Sequence, residues 1–229
     1  MAELRSLSST RPVFAGRGGA TRNELKRAAR RLFAERGIAA VGMREIVDAA
    51  GQRNAAAVHY YFGSKDELLR ELLIDGADLI DVGRQAMLGA AEAEAEADGP
   101  PALRTVVRAM VLPNIDIPGD TGENETYFRF MTNVQNERRE LFATTMPEHS
   151  AGYLRYIDHV RRLLRHLPEA TVRQRIVYAG LALRTLLAAR EAALDVSENG
   201  YHPHWSGQAA LEGMVDAVEA ILTGPASSA

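Results

Sequence analysis

The chain of 229 residues contains no cysteine. This absence excludes disulfide bonds, thiolate zinc sites and cysteine nucleophiles, and it is typical of a protein from a reducing, cytoplasmic environment. No apolar run approaches the ~20 residues of a membrane helix, and the most apolar region, 176–194, carries Arg184 and Arg190. The N-terminus lacks the apolar segment of a signal peptide, so we expect neither membrane insertion nor export.

The usual sequence motifs of enzymes are missing as well. There is no glycine-rich phosphate loop, no GxSxG nucleophile elbow and no HExxH zinc helix. His202 and His204 form the one close histidine pair. Because a proline separates them and no carboxylate cluster lies nearby, we expect no metal site there. The sequence therefore predicts neither catalysis nor a cofactor.

Charge is distributed unevenly along a chain whose net charge is −3. Residues 1–70 contain 13 lysines and arginines against 7 acidic residues, whereas residues 71–229 contain 14 against 23. A basic first third joined to an acidic remainder indicates that only the first third meets a polyanion, unless the asymmetry arises by chance.

Within the basic third, residues 43–69 have the pattern of a helix-turn-helix. A short helix precedes a turn at Gly51, and a second short helix ends at Gly63. Ser64 and Glu67 then match a capping box, which predicts that a longer helix starts here. The second helix of such a motif can enter the major groove of DNA.

That second short helix is predicted to be amphipathic. Three apolar side chains recur with helical spacing on the face that packs inward: Ala55, Val58 and Phe62. The opposite face carries a cation, a small residue and an aromatic ring: Arg53, Ala56 and Tyr60. Small side chains let a helix approach base edges closely enough to read them. The sequence pattern does not fix the residue at which this helix begins, so Arg53, Asn54 or Ala55 could be the first residue to reach the groove.

A first helix is predicted over 21–37. Thr21 and Glu24 match a second capping box, and Gly37 supplies a stop. One apolar stripe runs along it: Leu25, Ala28, Ala29, Leu32 and Phe33. Together with the helix-turn-helix it gives a domain of three helices at 21–70. Residues 1–20 are predicted to form a disordered basic arm. This arm is either a solvated tail or a segment that enters a minor groove of DNA.

The remainder, 71–229, is predicted to be a helical bundle, which makes the whole chain all-α. After the fourth helix, the predicted helices are 102–112, 126–144, 147–167, 172–194 and 205–222. Helix 172–194 is apolar nearly all round, so it is either a central core helix or one that also meets a second copy of the chain. For a symmetric four-helix interface the candidates are Ile176, Gly180, Leu183, Leu187, Leu211, Met214 and Val218.

Residues 21–69 closely resemble the DNA-binding domain of the TetR family of bacterial transcriptional regulators. The matching elements are AARRLFAERGIAAVGMREIVDAAG, HYYF at 59–62 and GSKDELL at 63–69. The chain has one residue more after Gly51 than the commonest family pattern, and Gly42 lies where the family often has Thr or Ser. The resemblance implies an all-helical homodimer whose C-terminal domain, 71–229, binds a small effector and thereby releases a two-fold symmetric DNA operator.

The resemblance also implies roles for single residues of the first domain. It matches His59, Tyr60 and Tyr61 to DNA-facing aromatics, and Lys65 to a lysine that contacts a phosphate. Arg44 lies where the family often has a base- or phosphate-contacting residue, and arginine can pair bidentately with guanine. The candidate DNA-binding residues are Arg44, Arg53, Asn54, Ala56, His59, Tyr60, Tyr61 and Lys65.

For the effector, the sequence offers only a candidate lining. Seven side chains between 103 and 187 are large and apolar or carry hydroxyls: Met110, Tyr127, Phe128, Met131, Tyr153, Tyr156 and Tyr178. They would suit an amphipathic organic ligand, although an aromatic stripe at helical spacing is also typical of plain core.

Three hypotheses for function follow from the sequence. The first is an effector-released repressor that binds double-stranded operator DNA as a homodimer. The second is a helical enzyme or small-molecule carrier whose first domain is only a support. The third is a sequence-tolerant architectural DNA binder, which would bind any duplex with similar affinity and salt dependence.

Overall fold

The computed structural model describes residues 17–54, 57–95, 99–115, 126–146, 151–197 and 201–225. Ten α-helices and no strand occur in these ranges, so the predicted all-α fold is confirmed. The helices are α1 Arg17–Arg36, α2 Met43–Ala49, α3 Ala57–Phe62, α4 Lys65–Ala95, α5 Leu103–Val111, α6 Tyr127–Glu137, α7 Arg139–Thr145, α8 Ala151–Leu163, α9 Glu169–Asp195 and α10 Gln208–Thr223. None of these helices is long and apolar enough to cross a bilayer.

The first three helices pack around a small apolar core. Side chains from each of them are almost completely buried: Leu25, Phe33, Ile46, Val47 and Val58. The turns between them use glycines with positive φ, 82° at Gly37 and 65° at Gly51, a conformation that other residues rarely adopt. The predicted stop at Gly37 and turn at Gly51 are both confirmed.

Helix α1 begins at Arg17, so two predictions about its N-terminus are wrong. Residues 17–20 are helical and do not belong to a disordered arm, and Thr21 lies inside the helix where it cannot act as N-cap. Contacts with α4 stabilise this first half of α1, because Arg22 pairs with Glu71 and Lys26 lies 2.6 Å from Asp75. Residues 1–16 lie outside the described part of the chain.

The starts of α2 and α4 are capped in different ways. The Glu67 backbone N–H donates to the Ser64 hydroxyl at 3.1 Å, which confirms Ser64 as the N-cap of α4. Gly42 has no side chain to cap α2, and instead its own N–H donates to the Glu45 carboxylate at 2.7 Å. Glu45 therefore stabilises the start of α2 in place of the Thr or Ser of the common pattern.

Helix α4 spans 31 residues and connects the first three helices to the rest of the bundle. At Gly76 it passes so close to α6 that an added Cβ would lie 2.1 Å from the Tyr127 ring. The Tyr127 hydroxyl donates to the Leu73 carbonyl at 2.8 Å, and the whole side chain is buried. Gly76 therefore permits close packing between α4 and α6.

The predicted single helix over 126–144 is in fact two helices, α6 and α7. The break lies at Arg138, whose φ of −135° and ψ of 53° are not helical. The sequence here has neither glycine nor proline, so composition alone does not signal a stop. The break follows Glu137, whose side chain is held by the turn between α1 and α2.

Candidate DNA-binding face and ligand pocket

The outer face of α2 and α3 is exposed, basic and aromatic. Arg44, Arg53 and His59 are all exposed, and Tyr60 has 76% of its surface accessible. Tyr61 is half-buried and meets the Tyr60 ring edge-on, with the ring centres 5.1 Å apart. This face presents cations and ring edges to solvent beside a packed core, as a DNA-reading helix requires.

Asn54 and His59 take part in hydrogen bonds at the two ends of α3. Asn54 is exposed, and its backbone carbonyl accepts a hydrogen bond from the Ala57 N–H at 2.9 Å. His59 Nδ1 donates to the Gly63 carbonyl at 2.9 Å and so closes the other end of the helix. Ala56 lies outside the described residues, and its predicted approach to DNA stays a prediction.

Lys65 is turned inward, unlike the other candidates. Its ammonium donates to the carbonyl oxygens of Ile38 and Val41, the latter at 2.7 Å, and lies 5.4 Å from the centre of the Phe33 ring. Burial lowers the pKa of this amine, and the positive charge of Arg138 adds to the effect. A phosphate contact by this side chain would require both hydrogen bonds to break. In this structure the Lys65 ammonium instead stabilises the turn between α1 and α2.

Two further arginines lie beside the helix-turn-helix, and the sequence patterns did not single them out. Arg27 and Arg31 line a shallow groove that ends at Ala50 and Gly51. They are placed there by the crossing of α1 over α2, and periodicity could not reveal this crossing. Their position extends the basic surface along α1.

A cavity of about 170 Å³ lies between α4, α5, α6, α8 and α9. Five of the seven predicted pocket residues line it: Met110, Tyr127, Phe128, Met131 and Tyr153. The other two do not. Tyr156 is buried behind Tyr153, with the two rings stacked 6.0 Å apart, and Tyr178 is 52% exposed on the outer side of α9. Tyr178 misses the cavity because two residues correspond to about 200° around a helix, which turns it away from Gly180.

The cavity wall also contains polar side chains that the sequence did not single out. Asn114 holds the end of α5, since its amide donates to the Met110 carbonyl at 2.6 Å and the Val111 carbonyl at 3.0 Å. Arg84 of α4 and Arg184 of α9 also line the cavity. From the sequence, Arg184 was considered only as a charge within the most apolar stretch and Arg84 was not considered, because a lone arginine in an apolar helix gives no signal of its partner.

The predicted dimer-interface residues face the interior of a single chain. Gly180, Leu183 and Leu187 line the cavity, and the other buried members are Ile176, Met214 and Val218. Leu211 is half-buried against the same core. These side chains already have intrachain partners, so the prediction that they form a surface for a second copy is wrong. The exposed apolar residues of α9 lie on its other side: Val177, Tyr178 and Leu181.

Helix α6 links the cavity to the helix-turn-helix. Its first half contributes Tyr127, Phe128 and Met131 to the cavity wall. At its other end, the Glu137 carboxylate accepts hydrogen bonds from the backbone N–H groups of Ile38 at 2.9 Å and Ala39 at 2.7 Å. One turn earlier the Asn133 amide donates to the Phe33 carbonyl at 2.8 Å. Helix α6 thus contacts both the cavity and the turn that precedes α2.

Replacing Glu137 with alanine is expected to loosen this connection. Two backbone N–H groups would lose a charged acceptor, and since the carboxylate is solvent-accessible we expect a cost of about 1–2 kcal/mol in the free energy of unfolding. Faster amide hydrogen exchange at Ile38 and Ala39 would locate the effect. Glu140→Ala, an exposed change three residues on, is the control, and equal exchange rates in both variants would contradict the assignment.

Comparison with known proteins agrees with both halves of this architecture. The family described as "Bacterial regulatory proteins, tetR family" matches residues 25–72, and "Tetracyclin repressor-like, C-terminal domain" matches residues 108–220. Together they cover about 70% of the chain. No curated protein matches the sequence.

Solved structures share the fold at low sequence identity. The TetR family transcriptional regulator PfmR from Thermus thermophilus is 20% identical, with a TM-score of 0.54 over 90% of this chain and 98% of that one. A Rhodococcus sp. protein described as a TetR-family transcriptional regulator is 15% identical, with a TM-score of 0.50 over 90% of this chain and all of that one.

A three-helix helix-turn-helix domain joined by a long helix to a helical bundle with a cavity is the architecture expected of a DNA-binding regulator. The chain belongs to the TetR family of bacterial regulatory proteins. It is accordingly a transcriptional regulator and not an enzyme, and regulators of this family bind DNA and small-molecule effectors, usually as dimers.

Proposed function

We propose that this regulator is a repressor, which binds a two-fold symmetric operator as a homodimer and is released when a small organic effector enters the cavity. The observation that carries the proposal is α6, which lines the cavity at one end and holds the turn before α2 at the other. A ligand that changes the position of α6 would change the DNA-reading face in the same step.

For DNA recognition we assign base and phosphate contacts to the outer face of α2 and α3 and to Arg53, which lies between these two helices. Arg44 and Arg53 are exposed and form no ion pair with any described residue, so their guanidinium groups are available to guanine or phosphate. The exposed Tyr60 ring can pack against a sugar or donate from its hydroxyl to a phosphate. His59 and Tyr61 flank it and would support the same contacts.

Arg53→Ala and Tyr60→Ala are each expected to weaken operator binding by about 1–3 kcal/mol, because each removes one direct contact. The operator would first be selected from a random pool of duplexes and then titrated with each variant. Arg161→Ala removes an exposed arginine from α8 and should leave affinity unchanged. If both changes leave affinity unaltered while the protein stays folded, the assigned face is wrong.

The same titration separates this proposal from the architectural alternative. A regulator should bind the selected duplex far more tightly than a scrambled one, whereas an architectural binder would bind both alike and with one common salt dependence.

For the homodimer we assign the interface to the exposed outer side of the α9–α10 pair. Val177, Tyr178 and Leu181 form an exposed apolar strip on α9. On α10, which packs against α9, two small residues are exposed, Ala209 and Gly213, and nothing lies within 4 Å of a Cβ added at Gly213. An apolar strip beside small residues suits two helices from each chain packing as a four-helix bundle.

A further inference from the structure

The ligand cavity has one polar, cationic end in an otherwise apolar wall. Its apolar part includes Met110, Phe128, Met131, Phe142 and Leu187. The charged residues of the wall are Arg84 and Arg184, and no carboxylate is present among the described residues that line it. The cavity therefore presents positive charge without an equal negative charge.

Arg84 pairs with Asp81, but the Asp81 carboxylate also accepts hydrogen bonds from other groups. One of its terminal nitrogens lies 3.3 Å from the Asp81 carboxylate, in a pair where both side chains are about nine-tenths buried. Asp81 also accepts from the Gln85 amide at 2.7 Å and from the Gly152 N–H at 2.9 and 3.0 Å. Arg84 Nε is buried with no hydrogen-bond partner. Part of the donor capacity of this guanidinium is therefore unused.

Arg184 has no carboxylate partner among the described residues. Its Nε is buried without a hydrogen bond, and burial lowers the pKa of the guanidinium. Its Nη1 and the Tyr153 hydroxyl converge beside Gly180, since a Cβ added there would lie 3.6 Å from the first and 3.7 Å from the second. A cation and a hydroxyl are thus directed to one place on the cavity wall.

A partly buried cation without a counter-charge is costly, and the cost is relieved when an anion enters. Water could satisfy the free N–H donors but would not neutralise the charge. A carboxylate can do both, because its two oxygens match the paired donors of a guanidinium. A cationic ligand would add to the unfavourable charge, and a neutral one would leave it in place.

On the basis of the effector-binding function proposed above, we propose that the ligand of this cavity is an organic monocarboxylate. Its carboxylate lies between Arg184, Arg84 and the Tyr153 hydroxyl, and its apolar body contacts Phe128 and Leu187. The cavity volume of about 170 Å³ is close to the roughly 150 Å³ of an engineered cavity that holds benzene. The body is therefore a single ring or a short hydrocarbon chain.

The test measures direct binding of matched ligands to the full-length protein in the absence of DNA. Octanoate, 1-octanol and octylamine share one chain and differ in the charge of the head group, and benzoate, benzyl alcohol and benzylamine form a second series. In isothermal titration we expect at least one carboxylate to bind tenfold or more tightly than its alcohol, with the amine weakest. A preference below threefold in both series, or no binding by either carboxylate, would overturn the proposal.

Variants of Arg184 show whether the preference arises at this site. Arg184→Met should reduce the preference for carboxylate over alcohol to less than threefold, whereas Arg184→Lys should retain part of it. Arg173→Met removes an exposed arginine from the same helix and should keep the full preference. Thermal unfolding without ligand would confirm that each variant is folded. If Arg184→Met keeps the full preference, the carboxylate is not held by Arg184 and the proposal fails.

A separate DNA-release assay distinguishes this proposal from the regulatory one. If octanoate or benzoate binds through Arg184 but does not release the selected duplex, the carboxylate site stands and the repressor mechanism fails. If the neutral alcohol releases the duplex as well as the carboxylate does, the mechanism stands and the carboxylate assignment fails.

Discussion

The double variant Val177→Asp/Leu181→Asp is expected to be a monomer and to lose at least about 100-fold in operator affinity. Both side chains lie exposed on one side of α9, 56% and 43% accessible, and neither belongs to the buried core of its own chain. Two carboxylates at the centre of a symmetric interface would meet two more from the second copy, and their repulsion and desolvation would oppose association. A monomer can bind only one half-site of the operator, so it loses the gain in affinity that comes from binding two half-sites at once.

Sedimentation velocity would report the oligomeric state, and titration of the selected duplex would report the affinity. Leu154→Asp is the matched control, because Leu154 is 61% exposed on α8, away from the proposed interface. We expect this control to remain dimeric and to bind normally. A double variant that sediments as a dimer would place the interface elsewhere. The same change at Leu183 would be uninformative, since Leu183 is in the core and its loss would unfold the chain.

Replacing Gly76 with alanine is expected to cost about 3 kcal/mol in the free energy of unfolding. The new methyl group would lie 2.1–2.5 Å from three atoms of the Tyr127 ring, far inside van der Waals contact. Because the ring is fully buried, it can yield only by separating α4 from α6 or by breaking the bond to the Leu73 carbonyl. Either change also deforms the cavity that Tyr127 lines.

Urea unfolding of Gly76→Ala beside Gly89→Ala provides the measurement and its control. Gly89 lies on the same helix with nothing within 4 Å of an added Cβ, so alanine there should be neutral or stabilising by up to about 1 kcal/mol. Tyr127→Leu in the Gly76→Ala background should recover part of the loss, which would demonstrate the coupling between the two positions. Equal destabilisation by both alanines would mean that helix propensity, and not the close approach, decides the effect.

Sequence patterns predicted the local features of this chain well. The stop at Gly37, the turn at Gly51 and the cap at Ser64 depend on backbone chemistry within a few residues, and each is found where the pattern placed it. The capping pattern at Thr21 failed because four more residues extend α1 backwards, supported by contacts with α4 that local sequence does not contain. The helix break at Arg138 was missed for the same reason.

Periodicity was less informative about which partner each face meets. It identified α9 as apolar on several sides, but an apolar stripe gives the same signal whether it packs inside one chain or against a second copy. Gly180 and Leu187 therefore were assigned to an interface, although both line the cavity. The cationic end of the cavity could not be predicted from the sequence, because Arg84 and Arg184 lie a hundred residues apart. Only the folded bundle, in which α8 packs against both α4 and α9, brings them to the lining of one cavity.

The intrachain pairing of basic residues in the first domain has a consequence for its behaviour in salt. Arg22 and Lys26 are neutralised by carboxylates of α4, Arg36 pairs with Glu45, and Lys65 binds backbone carbonyls. These cations hold helices together and are not free to displace counterions from a duplex. Part of the positive charge counted in the sequence thus serves the cohesion of the domain and does not compete with the ions that surround DNA.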